Sequence, residues 1–190
     1  MIIGIKEEGN VVLAVSSFDG FSPVNIDDMS NAENVGLWRV KKNPHTIMGC
    51  VFPTAESDAF RYEEDIFQGE MNYDKLTDDV IPAMEKFAED KEYIGDEKGR
   101  FEEFLIAQNG RLFKITSEHI IMEVDSSVVI SGSGEDFAKS ILYRTKEEPT
   151  IDRIRKAFEF ASRERQCDCY PISIMDTATG KIQMLTRENN

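Results

Sequence analysis

The order of apolar patterns along this 190-residue chain constrains its fold more than any other feature of the sequence. Short apolar runs bounded by turn residues, typical of strands, occur in residues 1–17, 37–52, 101–130 and 171–185. Apolar residues at helical spacing occupy residues 53–93 and 135–165. Each group of amphipathic helices needs an apolar sheet face to cover, so two sheets with helices outside both is the economical arrangement. The sequence therefore predicts an α+β fold, a four-layer αββα sandwich with two antiparallel sheets between helix layers, built by residues 1–190 as one domain.

Several local signals predict turns and helix ends inside this order. Gly9-Asn10 is expected to form the tight turn of the first hairpin, and Asn109-Gly110 that of a later one. Two helices are expected over residues 53–67 and 73–93, and Pro82 should kink or shorten the second. A third helix is expected over residues 135–145. Thr150 is a candidate N-cap of the fourth helix, and residues 171–175 and 181–185 should close the chain as a hairpin.

The charge balance excludes several classes of partner. The chain has 22 basic and 36 acidic residues, a formal charge of −14. Binding to nucleic acids and to anionic membranes depends on Lys and Arg, so neither function is indicated. No apolar run approaches the roughly 18 residues of a membrane span, and no signal-peptide pattern opens the sequence. We expect a soluble, cytoplasmic protein with an acidic surface.

The cysteines and histidines give little sign of a metal or cofactor. Cys50, Cys167 and Cys169 form an odd, sparse set that fits a reducing compartment. Cys167 and Cys169 could offer two thiolates to a soft metal, but a tetrahedral site usually needs four ligands and only His45 and His119 remain. Cys50 lies in an apolar run and is expected to be a small core residue. We predict neither a metal site nor a cofactor.

Four local motifs, in order, resemble the core subunits of the proteasome and the bacterial proteasome-like peptidase, members of the N-terminal nucleophile hydrolase group. They are Gly4 in the first strand, residues 46–49 ending in Gly49, the Ser-Gly-Ser-Gly turn at 131–134, and residues 158–165 before the closing strand. The resemblance implies the same αββα sandwich, with Gly49 at the oxyanion-hole position and Ser133 in the turn beside the nucleophile. The candidate pocket that it implies contains Met1, Ile2, Ser16, Ser17, Gly49, Gly132 and Ser133.

The catalytic positions implied by the resemblance hold other residues. In the family, the first residue is a Thr, Ser or Cys whose own α-amine accepts the proton. Here the first residues are Met1, which we expect to be retained because the next residue is bulky, and Ile2. The family has an Asp in the second strand, which falls at about Ser16, and a Lys in the third, which falls at about Val35 or Gly36. No catalytic residue is therefore predicted.

Two functions follow from this comparison. The first is a catalytically silent proteasome-like subunit that acts through oligomer assembly or partner binding. We expect a homo-oligomer built on helix faces, either a ring or a smaller assembly, or a pairing with a paralogous proteasome-like subunit. The alternative is a hydrolase of peptide, amide or ester bonds that uses non-terminal residues in the pocket where the family has its active site, such as Ser16, Ser17, Ser131 or Ser133.

Overall fold

The computed structural model describes residues 1–16, 36–50, 64–90 and 103–187. Within these ranges, ten strands form two five-stranded sheets in which every pairing is antiparallel. Sheet 1 has the strand order β10-β9-β2-β1-β8, with β1 Ile2–Glu7, β2 Asn10–Ser16, β8 Val128–Ser131, β9 Ile172–Asp176 and β10 Ile182–Leu185. Sheet 2 has the order β3-β4-β5-β6-β7, with β3 Leu37–Arg39, β4 Thr46–Cys50, β5 Phe104–Gln108, β6 Arg111–Ile115 and β7 Ile121–Glu123.

In the described part of the chain, three helices lie outside the two sheets. The first, α1, runs from residue 73 to 90 as a continuous helix with α-helical turns at Tyr73–Lys75 and Ile81–Asp90 and a π-helical segment at Leu76–Val80 between them. The other two, α2 Glu135–Arg144 and α3 Thr150–Arg165, follow β8. None of the helices in the described ranges has the length and apolarity to span a membrane.

Three apolar cores define the four layers. One core joins α2 and α3 to sheet 1 through residues such as Phe158, and a second joins α1 to sheet 2 through residues such as Leu76. The third lies between the sheets and contains Leu13 of β2 and Leu105 of β5. Because successive side chains of a strand point to opposite faces, each sheet contributes side chains to the core between the sheets and to the core under its own helices. The predicted αββα sandwich is confirmed in the described residues.

The first hairpin turns one residue earlier than predicted. Glu7 pairs with Asn10, so Glu8 and Gly9 form the turn and only Gly9, at φ 71°, has the left-handed conformation. Asn10 is instead a strand residue, and its amide oxygen accepts hydrogen bonds from the hydroxyl of Thr177 and the N–H of Ala178. These bonds tie the first hairpin to the last one.

Of the predictions for a later turn and a helix cap, the turn is confirmed and the cap is wrong. Asn109 and Gly110 both have positive φ, 49° and 78°, as a type I′ turn requires, so that hairpin is confirmed. Thr150 is the first residue of α3 and not its N-cap; Pro149 holds the cap position, and the Thr150 hydroxyl donates to Glu7 instead.

The two predicted helices of the middle segment have different outcomes. Most of residues 53–67 lie outside the described residues, and only Glu64–Phe67 are seen, as a short 3-10 turn. The helix predicted over 73–93 does not end at Pro82 but continues to Asp90. Because proline has no N–H to give to the preceding turn, the π-helical segment just before Pro82 is a physical way to accommodate it.

Candidate functional site

The first strand, the end of the second and the end of the eighth meet at one end of sheet 1. Ile2 pairs with Val15 on one side and with Ser131 on the other, and the Ser16 N–H donates to the Met1 carbonyl at 3.3 Å. The turn that contains Gly132 follows directly, with φ 95° at that glycine. The structure therefore brings together most of the residues that the sequence predicted as a pocket.

Strand alternation separates these residues onto two faces of the sheet. Met1 faces the helices: it is 1% exposed and belongs to the core that α2 and α3 cover. Its Sδ lies 3.7 Å from the position that a Cβ on Gly134 would occupy, and Ala161 of α3 borders the same position. The thioether thus fills the space beneath the turn after β8.

Ile2 faces the other way, into the space between the sheets. It is fully buried, and its Cδ1 would lie only 2.4 Å from a Cβ placed on Gly49 of β4. Gly49 therefore has no side chain for a steric reason: the sec-butyl group of Ile2 occupies the place where its side chain would be. The position that the resemblance assigned to an oxyanion hole is covered by hydrocarbon.

The hydroxyl groups of the predicted pocket do not converge. Ser16 is 3% exposed and faces the helix layer beside Met1, and its Oγ has no hydrogen-bond partner among the described residues. Ser133 is exposed on the turn before α2. Ser17 and Val35 lie outside the described residues, and Gly36 precedes β3 with φ 68° and no side chain to offer.

At the open edge of the inter-sheet space, Ser131, which the sequence analysis named as a candidate hydroxyl, contacts two residues that it did not single out, Glu103 and Lys114. The fully buried Ser131 donates a hydrogen bond to the Oε2 atom of Glu103, next to β5. The Lys114 Nζ lies 3.3 Å from the same oxygen, and the Lys114 side chain is only 14% exposed. A lysine on the same strand face as Leu112 breaks the apolar pattern of β6, and that is the one signal that would have drawn attention to this group.

The two histidines lie away from this region. His45 is exposed just before β4, and His119 Nδ1 lies 2.9 Å from Glu85 of α1. In the described ranges, no three His, Cys, Asp or Glu side chains lie close enough to hold a metal ion. The absence of a metal site stays a prediction for the whole chain.

The cysteines are buried to different degrees. Cys50 is fully buried among the residues under α1, which confirms the prediction that it is a core residue. Cys169 is 2% exposed, and burial raises the pKa of its thiol from 9.0 to about 11. A hydrogen bond with Ser162 opposes this rise in pKa, and the negative charge of Asp168 adds to it.

The raised pKa of Cys169 makes the stability of the fold dependent on alkaline pH. Between pH 9 and 11 the thiol of the unfolded chain ionises while the folded thiol keeps its proton, so the free energy of unfolding should fall as pH rises. Urea unfolding of the wild type and of Cys169→Ala at pH 8, 9, 10 and 11 measures this. The variant should lose part of the slope, and equal slopes in both proteins would contradict the prediction.

Comparisons with known proteins find similarity in three-dimensional structure but no matching protein family. No protein-family model matches the sequence, and no curated protein matches it. The structure is similar to BPH of Thiobacillus denitrificans in complex with epoxomicin, with a TM-score of 0.64 and 14% identity over 92% of this chain and 96% of that chain. It is similar to Anbu, an ancestral beta-subunit, of Yersinia bercovieri, with a TM-score of 0.64 and 12% identity over 98% of this chain and 87% of that chain. It is also similar to HslV of Trypanosoma brucei, with a TM-score of 0.58 and 15% identity over 92% of this chain and 97% of that chain.

These similarities concern three-dimensional structure at low sequence identity. They extend over nearly the whole of each chain, and they include both antiparallel sheets and the helices outside them. The expected α+β sandwich is therefore confirmed by comparison as well as by its cores. The chain has the fold of the HslV-like, proteasome-like N-terminal nucleophile hydrolases.

Proposed function

We propose that this chain is a catalytically silent proteasome-like subunit that acts through oligomer assembly or partner binding. The observation that carries the proposal is the contact of Ile2 with Gly49, which fills the inter-sheet space beside the start of β1 with an aliphatic side chain. Amide hydrolysis there would need a nucleophilic oxygen or sulfur next to a group that accepts its proton. Neither a thioether nor a sec-butyl group supplies such an atom.

The neighbouring positions support the same proposal. Ser16 stands where the resembling family has an Asp, and it has no charge and faces the helix layer. Gly36, one of the two residues that correspond to the family's Lys, has no side chain. A nucleophile placed here would therefore lack these two groups, which in the family orient the amine and set its charge.

The outer surface of the helix layer supports an assembly role. Phe137 and Tyr143 of α2 are 40% and 60% exposed, and Ile151 of α3 is 39% exposed. Phe137 stacks edge-to-face on Phe160 of α3, with 6.3 Å between ring centroids. Exposed aromatic residues of this kind are enriched in interfaces. Anbu is named as an ancestral beta-subunit, which is consistent with a subunit role for a chain of the same fold.

Two measurements test the proposal. Incubation with fluorogenic peptides and with generic ester and amide substrates should give no turnover above a no-protein blank, with an active proteasome-like peptidase as positive control. Light scattering should give a mass that is a multiple of the 21.6 kDa monomer. Turnover that persists through repeated purification would overturn the silent function, and a monomer at micromolar concentration would overturn the homo-oligomer.

The alternative, a hydrolase that uses non-terminal residues, is favoured by one observation. Ser131 donates to Glu103, and Lys114 contacts the same carboxylate oxygen, so a hydroxyl, a possible proton acceptor and a cation lie together. If turnover is found, Ser131→Ala should abolish it and the exposed Ser133→Ala should leave it unchanged. Turnover that survives in Ser131→Ala would exclude this group as the site.

A further inference from the structure

The outer surface of α2 and α3 combines exposed aromatic side chains with cations. Phe137 and Tyr143 are 40% and 60% exposed, and Phe137 contacts Phe160 edge-to-face. Arg144 follows Phe137 by two turns of α2, so the two residues lie on the same side of that helix. Arg163 follows Phe160 by about one turn of α3 and lies beside it in the same way. We call these five residues the basic-aromatic face.

The two arginines of this face are available to a partner. Arg144 and Arg163 are exposed, and neither forms an ion pair within the described residues. Residues 135–165, which form this helix layer, contain eight basic and seven acidic residues, a net charge of +1. The rest of the chain contains 14 basic and 29 acidic residues, a net charge of −15. The chain therefore has acidic segments that are complementary to its own basic-aromatic face.

The helix α1 supplies such a segment on the opposite side of the sandwich. Its exposed residues with described side chains are Tyr73, Asp74, Thr77, Asp78, Asp79, Pro82, Glu85 and Lys86. Asp79 is paired with Lys75, but Asp74 and Asp78 form no ion pair in the ranges that the structure describes. Both line a depression of about 450 Å³ at the start of α1, and the adjacent Tyr73 is 56% exposed. We call Tyr73, Asp74 and Asp78 the acidic face.

We propose that the basic-aromatic face of one copy of this chain docks on the acidic face of a second copy. The two arginines would pair with Asp74 and Asp78, and the aromatic rings of the first copy would pack near Tyr73 of the second. Arginine suits this contact because its planar guanidinium group binds carboxylates in a bidentate way and also stacks on aromatic rings. Two basic-aromatic faces in contact would bring like charges together, which disfavours that arrangement.

The contact joins two different surfaces, so it is heterologous. The two faces belong to the helix layers over sheet 1 and sheet 2, and each copy in a pair keeps one face free for a further copy. Such contacts produce a ring where the rotation closes and an open chain where it does not, so assembly should continue beyond a dimer. This inference rests on the proposed assembly role and names the two surfaces that would perform it.

Charge reversal followed by mixing tests the proposal on the full chain. In light scattering at micromolar concentration, R144E/R163E and D74K/D78K should each have the 21.6 kDa mass of a monomer, whereas the wild type should be larger. An equimolar mixture of the two variants should form complexes, because each variant keeps the face that the other has lost. Circular dichroism of each variant checks its fold. The milder pair R144Q/R163Q and D74N/D78N, expected to weaken association at least about tenfold, replaces any reversed variant that does not fold.

Matched reversals at other exposed positions control for net charge. K41E/K181E and E8K/E118K change the charge by the same amounts outside both faces and should change the association constant less than about twofold. An oligomer that persists in R144E/R163E or in D74K/D78K would overturn this inference and leave the homo-oligomer in place. Failure of the mixture to associate, or equal losses in the controls, would also overturn it. A monomeric wild type would overturn both the inference and the homo-oligomer, while catalytic silence is tested separately by turnover.

Discussion

Replacement of Phe158 by alanine is expected to lower the free energy of unfolding by about 3–5 kcal/mol. Phe158 is fully buried in α3 and belongs to the core between the helices and sheet 1, together with Ile3 and Ile172. Its ring is among the largest fully buried side chains of the described residues. Alanine would leave a cavity that two β-strands and a helix cannot close without breaking their own contacts.

Urea unfolding followed by circular dichroism measures this loss. The matched control is Phe137→Ala, which removes the same side chain from the neighbouring helix, where it is 40% exposed. That variant should lose about 1 kcal/mol, from its contact with Phe160 and partial burial. Equal losses in the two variants would mean that α3 does not pack on sheet 1 as described.

The contact between Ile2 and Gly49 should appear as strong coupling between two substitutions. Ile2→Ala is expected to lower the free energy of unfolding by about 2–5 kcal/mol because it empties part of the inter-sheet core. Gly49→Ala is expected to lower it by about 1–3 kcal/mol because the new Cβ would lie 2.4 Å from Ile2 Cδ1. In the double variant the added methyl group enters space that the shortened Ile2 has left.

The double variant should therefore lose at least about 1 kcal/mol less than the sum of the two single variants. Gly4→Ala is the control for a generic effect of adding a methyl group between the sheets, since its Cβ would meet Leu112 and Val129 instead. Gly4→Ala should show little coupling with Ile2→Ala. Additive losses at Ile2 and Gly49 would show that Ile2 does not cover Gly49, and the proposal of a silent site would lose its main support.

Local patterns in the sequence predicted most elements of the fold correctly. The apolar run of β1, the Asn109-Gly110 turn and the helical spacing of Ile154 and Phe158 are properties of neighbouring residues, so they can be seen without the fold. The errors occurred where a distant contact competes with a local signal. Asn10 was predicted in the first turn but accepts a hydrogen bond from Thr177 of the last hairpin, and Thr150 was predicted as an N-cap but donates its hydroxyl hydrogen bond to Glu7.

The side-chain chemistry at the start of β1 was determined by the sequence, because the thioether and the sec-butyl group belong to the residues Met1 and Ile2 themselves. Only the tertiary structure decided which face each of them occupies and what covers Gly49, since that depends on the pairing of β1 with β8 and on the packing of two sheets. The association of Ser131 with Glu103 and Lys114 was not predicted, for the same reason. Glu103 and Lys114 are brought together by the pairing of β5 with β6 in sheet 2, and Ser131 of sheet 1 meets them only once the two sheets are stacked.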